Sequence, residues 1–147
     1  MQRGIPWQIV PGITSGLAAP ACAGIPATHR GCATSVALVT GHRQAGDHRE
    51  PDWAGMAGID TLIIYMGMHH LDAIIAGLIS AGRPAETPGA AIERGSWPQQ
   101  RQVAATLGTL GAAVAKAGLG APAIVIVGQV VDLVSELGAV PGPPVGP

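Results

Sequence analysis

The residues best placed to do chemistry are Val10-Pro11-Gly12-Ile13-Thr14-Ser15-Gly16. A short apolar run, Trp7 to Val10, breaks at Pro-Gly and resumes at Thr-Ser with a small-residue segment. That pattern predicts a strand, a tight turn and a helix N-terminus. Such junctions hold ligands in α/β folds, because the first N–H groups of a helix lack partners within it and face the crevice. The chemistry on offer is binding through backbone donors and hydroxyls. No carboxylate pair, Ser–His or Cys–His set converges by spacing, and the chain has no G-x-G-x-x-G, Walker loop, G-x-S-x-G or H-E-x-x-H. A crevice also needs a second wall, and little of this chain precedes the junction to supply it.

Other positions could carry chemistry where strands end. Tyr65-Met66-Gly67-Met68 closes a continuous apolar run, the place where open sheets dock ligands. A methionine there either rests its thioether on an aromatic or adenine-like ring or fills the core before a turn glycine. In Thr28-His29-Arg30-Gly31, the adjacent His and Arg suit an anionic, carboxylate-bearing ligand, since guanidinium forks onto carboxylates. A solvated loop with a local salt bridge is the alternative. Gly95 permits either close backbone approach to a ligand or a simple turn. His69-His70 is read as a helix start rather than as metal ligands, and no metal site is expected.

These positions are set by an alternation of strands and helices. Apolar runs predict strands over Ser35–Thr40, Thr61–Met66, Gly89–Glu93, Arg101–Thr106 and Ala123–Val127. The second and fifth are continuously apolar, as central strands covered on both faces should be. Helices are expected over Thr14–Ala23, capped by Thr14 or Ser15, over His70–Ala81, with Gly82 as its stop, and over Leu107–Gly118. Asp132–Leu137 reads as a short fourth, and Asp52–Gly58 as a helical turn with Trp53 and Met56 inward. The third and fourth strands are separated by only about seven residues, too few for a parallel crossover. They should therefore form an antiparallel hairpin in a mixed sheet, its loop carrying Ser96-Trp97-Pro98-Gln99-Gln100. Arg43–Pro51 is expected to be an exposed loop, and 138–147 a disordered Pro/Gly-rich tail.

Composition narrows the function classes. The 147 residues suit one domain, with 48% hydrophobic and only 12% charged. So few charges imply burial against a partner or a further domain. A net charge of −1 gives no electrostatic case for nucleic acid or an anionic membrane. No apolar run approaches the roughly 20 residues that span a bilayer, and the start lacks the apolar core of a signal peptide. The cytoplasm is the expected location. Cys22 and Cys32 form no C-x-x-C and are read as free buried thiols.

Taken in order, these segments resemble the C-terminal half of the tetrapyrrole methylase family, in the branch that methylates uroporphyrinogen III. The resemblance runs from about Gly4 to Leu133. It is carried by Val10–Ser15, Gly24-Ile25-Pro26-Ala27-Thr28-His29-Arg30-Gly31, Val39-Thr40-Gly41-His42, Asp52-Trp53 and Asp60-Thr61-Leu62. Tyr65-Met66-Gly67, Ala81-Gly82-Arg83-Pro84, Gln100-Arg101 and Val127-Gly128-Gln129-Val130-Val131 continue it in register.

The resemblance implies an α/β fold with a mixed five-stranded sheet flanked by helices, and an S-adenosylmethionine-dependent enzyme. The implied reaction is methylation at C-2 and C-7 of uroporphyrinogen III, giving precorrin-2 for siroheme and cobalamin. By family position, Thr14, Ser15, Met66, Gly95 and Ala123 contact the cofactor, and His29 and Arg30 lie on the substrate side. Catalytic residues are expected in the N-terminal half, as are a Gly-rich loop and a Gly-Gly-Asp turn, and neither motif occurs here. Residues 1–13 then read as the end of that N-terminal domain and the interdomain turn, and 14–137 as the C-terminal domain. The expected partners are the tetrapyrrole and a second copy or the N-terminal half, and this chain alone is expected to be inactive. A non-catalytic remnant or interaction domain of the same fold is the alternative. Trp97 stands where the family commonly has a small or hydroxyl residue, either narrowing the cleft mouth or covering a hairpin.

Overall fold

A computed structural model describes residues 4–41 and 51–137. His42, nearly all of the predicted loop over 43–51 and the tail 138–147 lie outside the described residues. The elements follow the expected alternation: α1 (Ser15–Cys22), β1 (Val36–Thr40), α2 (Trp53–Met56), β2 (Thr61–Tyr65), α3 (Leu71–Ser80), β3 (Pro88–Glu93), β4 (Arg101–Thr106), α4 (Leu107–Ala117), β5 (Ala123–Val127) and α5 (Val134–Leu137). A 3-10 turn, Met68–His70, precedes α3, and another, Gln129–Leu133, replaces the first part of the helix expected over 132–137.

The five strands form one sheet in the order β1-β2-β5-β3-β4. Only β1 and β2 pair in parallel, and β3 and β4 form the expected antiparallel hairpin, in register from Pro88↔Thr106 to Glu93↔Arg101. The edge strands β1 and β4 alternate between exposed and half-buried residues. Among the central strands, β3 is buried throughout and β2 and β5 over four of five residues, because both faces are covered. β5 runs opposite to both β2 and β3, so the carboxyl ends of β1, β2 and β3 share one rim with the start of β5.

Each face has its own core. Leu62, Ile64, Val125 and Val127 pack with Leu71, Ile74, Ile75 and Leu78 of α3 and Leu107, Leu110 and Val114 of α4. The opposite face sets Ile63, Ile92, Ile124 and Ile126 against Ala19, Ala23, Ile25, Val130 and Val131. Ile79 of α3 faces away from this core and is 36% exposed. Trp53 and Met56 pack against the first core, and Asp52 caps α2 by accepting from the Gly55 N–H at 2.9 Å. Gly118 ends α4 in the left-handed region, with φ 61°.

Two expectations change. The run Trp7–Val10 forms no strand, because none of the five strands lies alongside it to exchange backbone hydrogen bonds. Instead Ile5, Trp7, Ile9, Val10 and Ile13 are 64–83% exposed. The thiols of Cys22 and Cys32 are free as expected but only half-buried, since both sit in the loop and helix end at the margin of the second core.

Candidate functional site

Along the rim formed by the carboxyl ends of β1, β2 and β3 opens a cleft of about 1150 Å³. Ser15 and Ala19 of α1 form one side, Leu38, Val39 and Thr40 of β1 another, and Tyr65, Met66 and Met68 the floor after β2. Arg94, Gly95 and Trp97 of the hairpin loop and Ala121 to Ile124 complete it. Most of this surface is apolar, so a ligand would be held by shape, by backbone groups and by a few polar atoms.

The helix junction is built differently from the expectation. Thr14 occupies the cap position of α1, but its hydroxyl makes no capping bond and instead hydrogen-bonds with the Tyr65 hydroxyl. The Gly16 N–H donates to the same phenol oxygen at 3.1 Å. One of the helix-start donors is thus satisfied by the protein itself. Position 16 must be glycine for this contact, because an added Cβ would fall 2.6 Å from Tyr65 Cζ. Tyr65, at the end of β2, therefore locks α1 to the sheet at the edge of the cleft.

Backbone strain gathers at the same place. Among the described residues, the non-glycine residues with positive φ are Met66 (53°), Arg94 (51°) and Ser96 (70°). Met66 and Arg94 line the cleft, and Ser96 lies between the lining residues Gly95 and Trp97. Such conformations cost on the order of 1–3 kcal/mol each and collect where function needs a side chain aimed a particular way. Met66, aimed so, is 60% exposed in the cleft. Gly41 and Gly67 let β1 and β2 end together: a Cβ at Gly41 would meet the Gly67 Cα at 2.8 Å.

The hairpin loop is fixed from several sides. The Arg94 N–H donates to the Pro122 carbonyl at 3.0 Å, and the Trp97 N–H to the Arg94 carbonyl at 3.0 Å. Gln100 Oε1 accepts from the Ser96 N–H at 2.8 Å, and its Nε2 donates to the Cys22 carbonyl at the end of α1 at 3.3 Å. At Gly95 an added Cβ would lie 2.8 Å from the Ala19 Cα, so the glycine is required by the docking of α1. Beneath the loop, Arg101 Nε donates to Glu93 at 2.6 Å, and its Nη2 to the Gly118 carbonyl at 2.9 Å. The Arg101 hydrogen bond holds the Glu93 carboxyl below the usual carboxylate range.

Of the residues expected to contact a cofactor, Ser15, Met66, Gly95 and Ala123 line this one cleft, and Thr14 reaches its edge through Tyr65. His29 and Arg30 are not brought to it. They lie in an exposed tight loop where the His29 N–H donates to the Ala33 carbonyl and His29 Nδ1 stands 3.9 Å from Cys32 Sγ. Among the described residues, the arginine that lines the cleft is Arg94. Sequence reasoning missed it because its position depends on a left-handed backbone that arginine seldom adopts. His69 and His70 line the cleft from the 3-10 turn after Met66. Among the described residues, no group of three His, Cys, Asp or Glu could hold a metal ion, and no helix is long and apolar enough to cross a membrane.

Comparison with known proteins places this geometry. Residues 1–111 match the model of the tetrapyrrole (corrin/porphyrin) methylases. The chain is 44% identical over 132 residues to a uroporphyrinogen-III C-methyltransferase of Bacillus subtilis, covering 89% of this chain and 51% of that protein. It is 47% identical over 136 residues to a siroheme synthase of Azotobacter vinelandii, covering 92% of this chain and 29% of the relative. The uroporphyrin-III C-methyl transferase of Thermus thermophilus, solved with S-adenosyl homocysteine, superposes with a TM-score of 0.73 at 35% identity, over 90% of this chain and 57% of that one. The chain thus spans about half the length, or less, of the relatives it matches. On sequence and fold alike, this chain belongs to the tetrapyrrole methylases.

Proposed function

We propose that this chain supplies one wall of the cofactor cleft of an S-adenosylmethionine-dependent methyltransferase acting on uroporphyrinogen III at C-2 and C-7 to give precorrin-2. The observation that carries this reading is the convergence of Ser15, Met66, Gly95 and Ala123, from four separate stretches of chain, on one cleft. The Thermus thermophilus relative solved with S-adenosyl homocysteine supports the same assignment.

The residues fit that cofactor. The Met66 thioether is exposed in the cleft and offers a polarizable contact to a flat ring or a second sulfur. Gly95 and Ala123 present backbone with little side chain in front of it, and Ser15 and Tyr65 add hydroxyls at the start of α1. When bound, S-adenosylmethionine supplies an electrophilic methyl on a sulfonium, with its leaving group built in. What remains for this chain is to hold the donor in line with the acceptor carbon and to keep water from the sulfonium. An apolar wall with a few fixed polar atoms does both.

The cleft is open on one side, and the part of the relatives' length that this chain does not span supplies the opposite wall and the acid–base groups. In this reading residues 1–13 lead from that domain, 14–137 form the C-terminal domain, and the cytoplasmic enzyme works as a dimer of two-domain subunits. A non-catalytic module of the same fold is the second reading, favoured by the Trp7–Ile13 segment, whose exposed apolar side chains suit an interface.

Calorimetry of this chain with S-adenosyl homocysteine tests the proposal. Weak binding that Met66→Ala abolishes is the expected result, with no turnover of uroporphyrinogen III until the other half is supplied. No binding even with the other half present overturns the enzyme reading, and turnover by this chain alone overturns the shared-cleft reading.

A further inference from the structure

The hairpin loop between β3 and β4 has a feature that donor binding does not use. Arg94 and Trp97 both line the cleft, both are exposed, and they sit three residues apart on one tight turn. Among the described residues the Arg94 side chain makes no hydrogen bond or close ion pair and acts only through space on the neighbouring Glu93 carboxylate, whereas Arg83 and Arg101 are both hydrogen-bonded. Trp97 is 56% exposed and packs into neither core. Neither placement is slack in the chain. Arg94 and Ser96 hold left-handed backbone, and the loop is bound to Pro122, to Cys22 and, through Gly95, to Ala19.

A rigid turn that keeps a planar cation and a large ring unsatisfied at a cleft mouth is suited to a flat ring that carries carboxylates. The indole can cover the ring face while the guanidinium forks onto an acid side chain. We propose that Arg94 and Trp97 form the acceptor-recognition lip of the cleft, with Trp97 lying on a pyrrole ring and Arg94 pairing with one of its carboxylate substituents. This deepens the functional reading above and rests on it. It also assigns to Arg94 the anionic recognition that the sequence had placed at His29 and Arg30. The deeper lining at Ser15, Met66 and Ala123 is left to the donor.

The test uses uroporphyrin III as the stable acceptor probe and S-adenosyl homocysteine as the donor probe, each titrated calorimetrically into wild type, Arg94→Asn, Trp97→Ala and Trp97→Phe. Asparagine tolerates the left-handed backbone of position 94, so the change removes charge without removing the turn. Arg94→Asn and Trp97→Ala should each weaken uroporphyrin III by about tenfold, consistent with the loss of one charge-assisted or stacking contact. Trp97→Phe should hold within about threefold, and S-adenosyl homocysteine should bind all four within about twofold. Unchanged uroporphyrin III binding in both Arg94→Asn and Trp97→Ala overturns the proposal. Weakened S-adenosyl homocysteine with intact uroporphyrin III assigns the lip to the donor and overturns it equally. A wild type that binds neither probe even with the other half present overturns the functional reading, and this inference with it; one that then binds S-adenosyl homocysteine but not uroporphyrin III overturns this inference alone.

Discussion

The two rims of the sheet are built to opposite rules. At the rim where β1 and β2 begin, the charged groups Asp60 and Arg83 are both hydrogen-bonded, although the buried Thr61 hydroxyl has no partner among the described residues. Asp60 Oδ2 accepts from the backbone N–H and the hydroxyl of both Thr34 and Ser35, at 2.8–3.0 Å. Arg83, only 6% exposed, donates to the Ile59 and Asp60 carbonyls at 2.9 and 2.8 Å. At the rim where those strands end, Met66 and Trp97 are exposed, the Arg94 side chain makes no hydrogen bond among the described residues, and the backbones of Met66, Arg94 and Ser96 are strained. One rim ties its charged groups into hydrogen bonds, while the other leaves side chains exposed and backbones strained. Marginal stability of the whole domain allows only a few such exceptions, and their concentration at one rim is what makes the cleft there the candidate site.

Breaking the closed rim should do the most damage. Arg83→Met strands two carbonyls in a site where water is scarce, and should lower unfolding free energy by roughly 2–5 kcal/mol, read from the urea midpoint. Where that variant folds, its affinity for S-adenosyl homocysteine should be unchanged. A ligand effect as large as the stability effect would dissolve the distinction between the rims.

Gly16→Ala strikes the lock between the two. Its new Cβ displaces Tyr65, costing roughly 1–3 kcal/mol, and this time stability and ligand affinity should fall together. Met66→Asn separates them in the other direction. Asparagine accepts the left-handed backbone better, so stability should hold or rise by up to about 1 kcal/mol while donor binding weakens. Loss of stability there would mean that Met66 is a core residue after all.

The smallest effect concerns pH. Four hydrogen bonds, led by those from the Thr34 and Ser35 backbone, lower Asp60 from 3.8 to about 2. The fold therefore favours the ionised form. Its contribution is complete above the ordinary value and is lost as the pH falls through about 2. Asp60→Asn should flatten the acid limb of a stability–pH curve without moving the neutral plateau relative to other surface variants. An unchanged acid limb would mean that these bonds are equally well made by water.

Much of the fold is legible in residue order. The five strand runs and the hairpin follow from apolar continuity and from a connection too short for a crossover. The stop of α4 at Gly118 follows from glycine's freedom to adopt positive φ. The burial of β3 is not legible, since Pro88-Gly89-Ala90-Ala91 carries little hydrophobic signal. It is buried because β5 and β4 flank it and both helical layers cover it. The apolar run Trp7–Val10 reads as a strand by local pattern, yet strand formation needs a neighbour that none of the five strands provides.

By itself, then, the sequence determined the five strands of the sheet, the principal helices, the glycine stop of α4 and the cleft-lining positions Ser15 and Met66. These depend on local periodicity, capping and backbone freedom, which neighbouring residues settle. Only the tertiary structure decided that the Thr14 hydroxyl turns to Tyr65, 51 residues away, instead of capping its helix. It alone decided that Gly95 answers to Ala19 and that Arg94, not Arg30, lines the cleft. Each of those outcomes depends on which strand ends share a rim, and that is fixed by non-local pairing across the sheet.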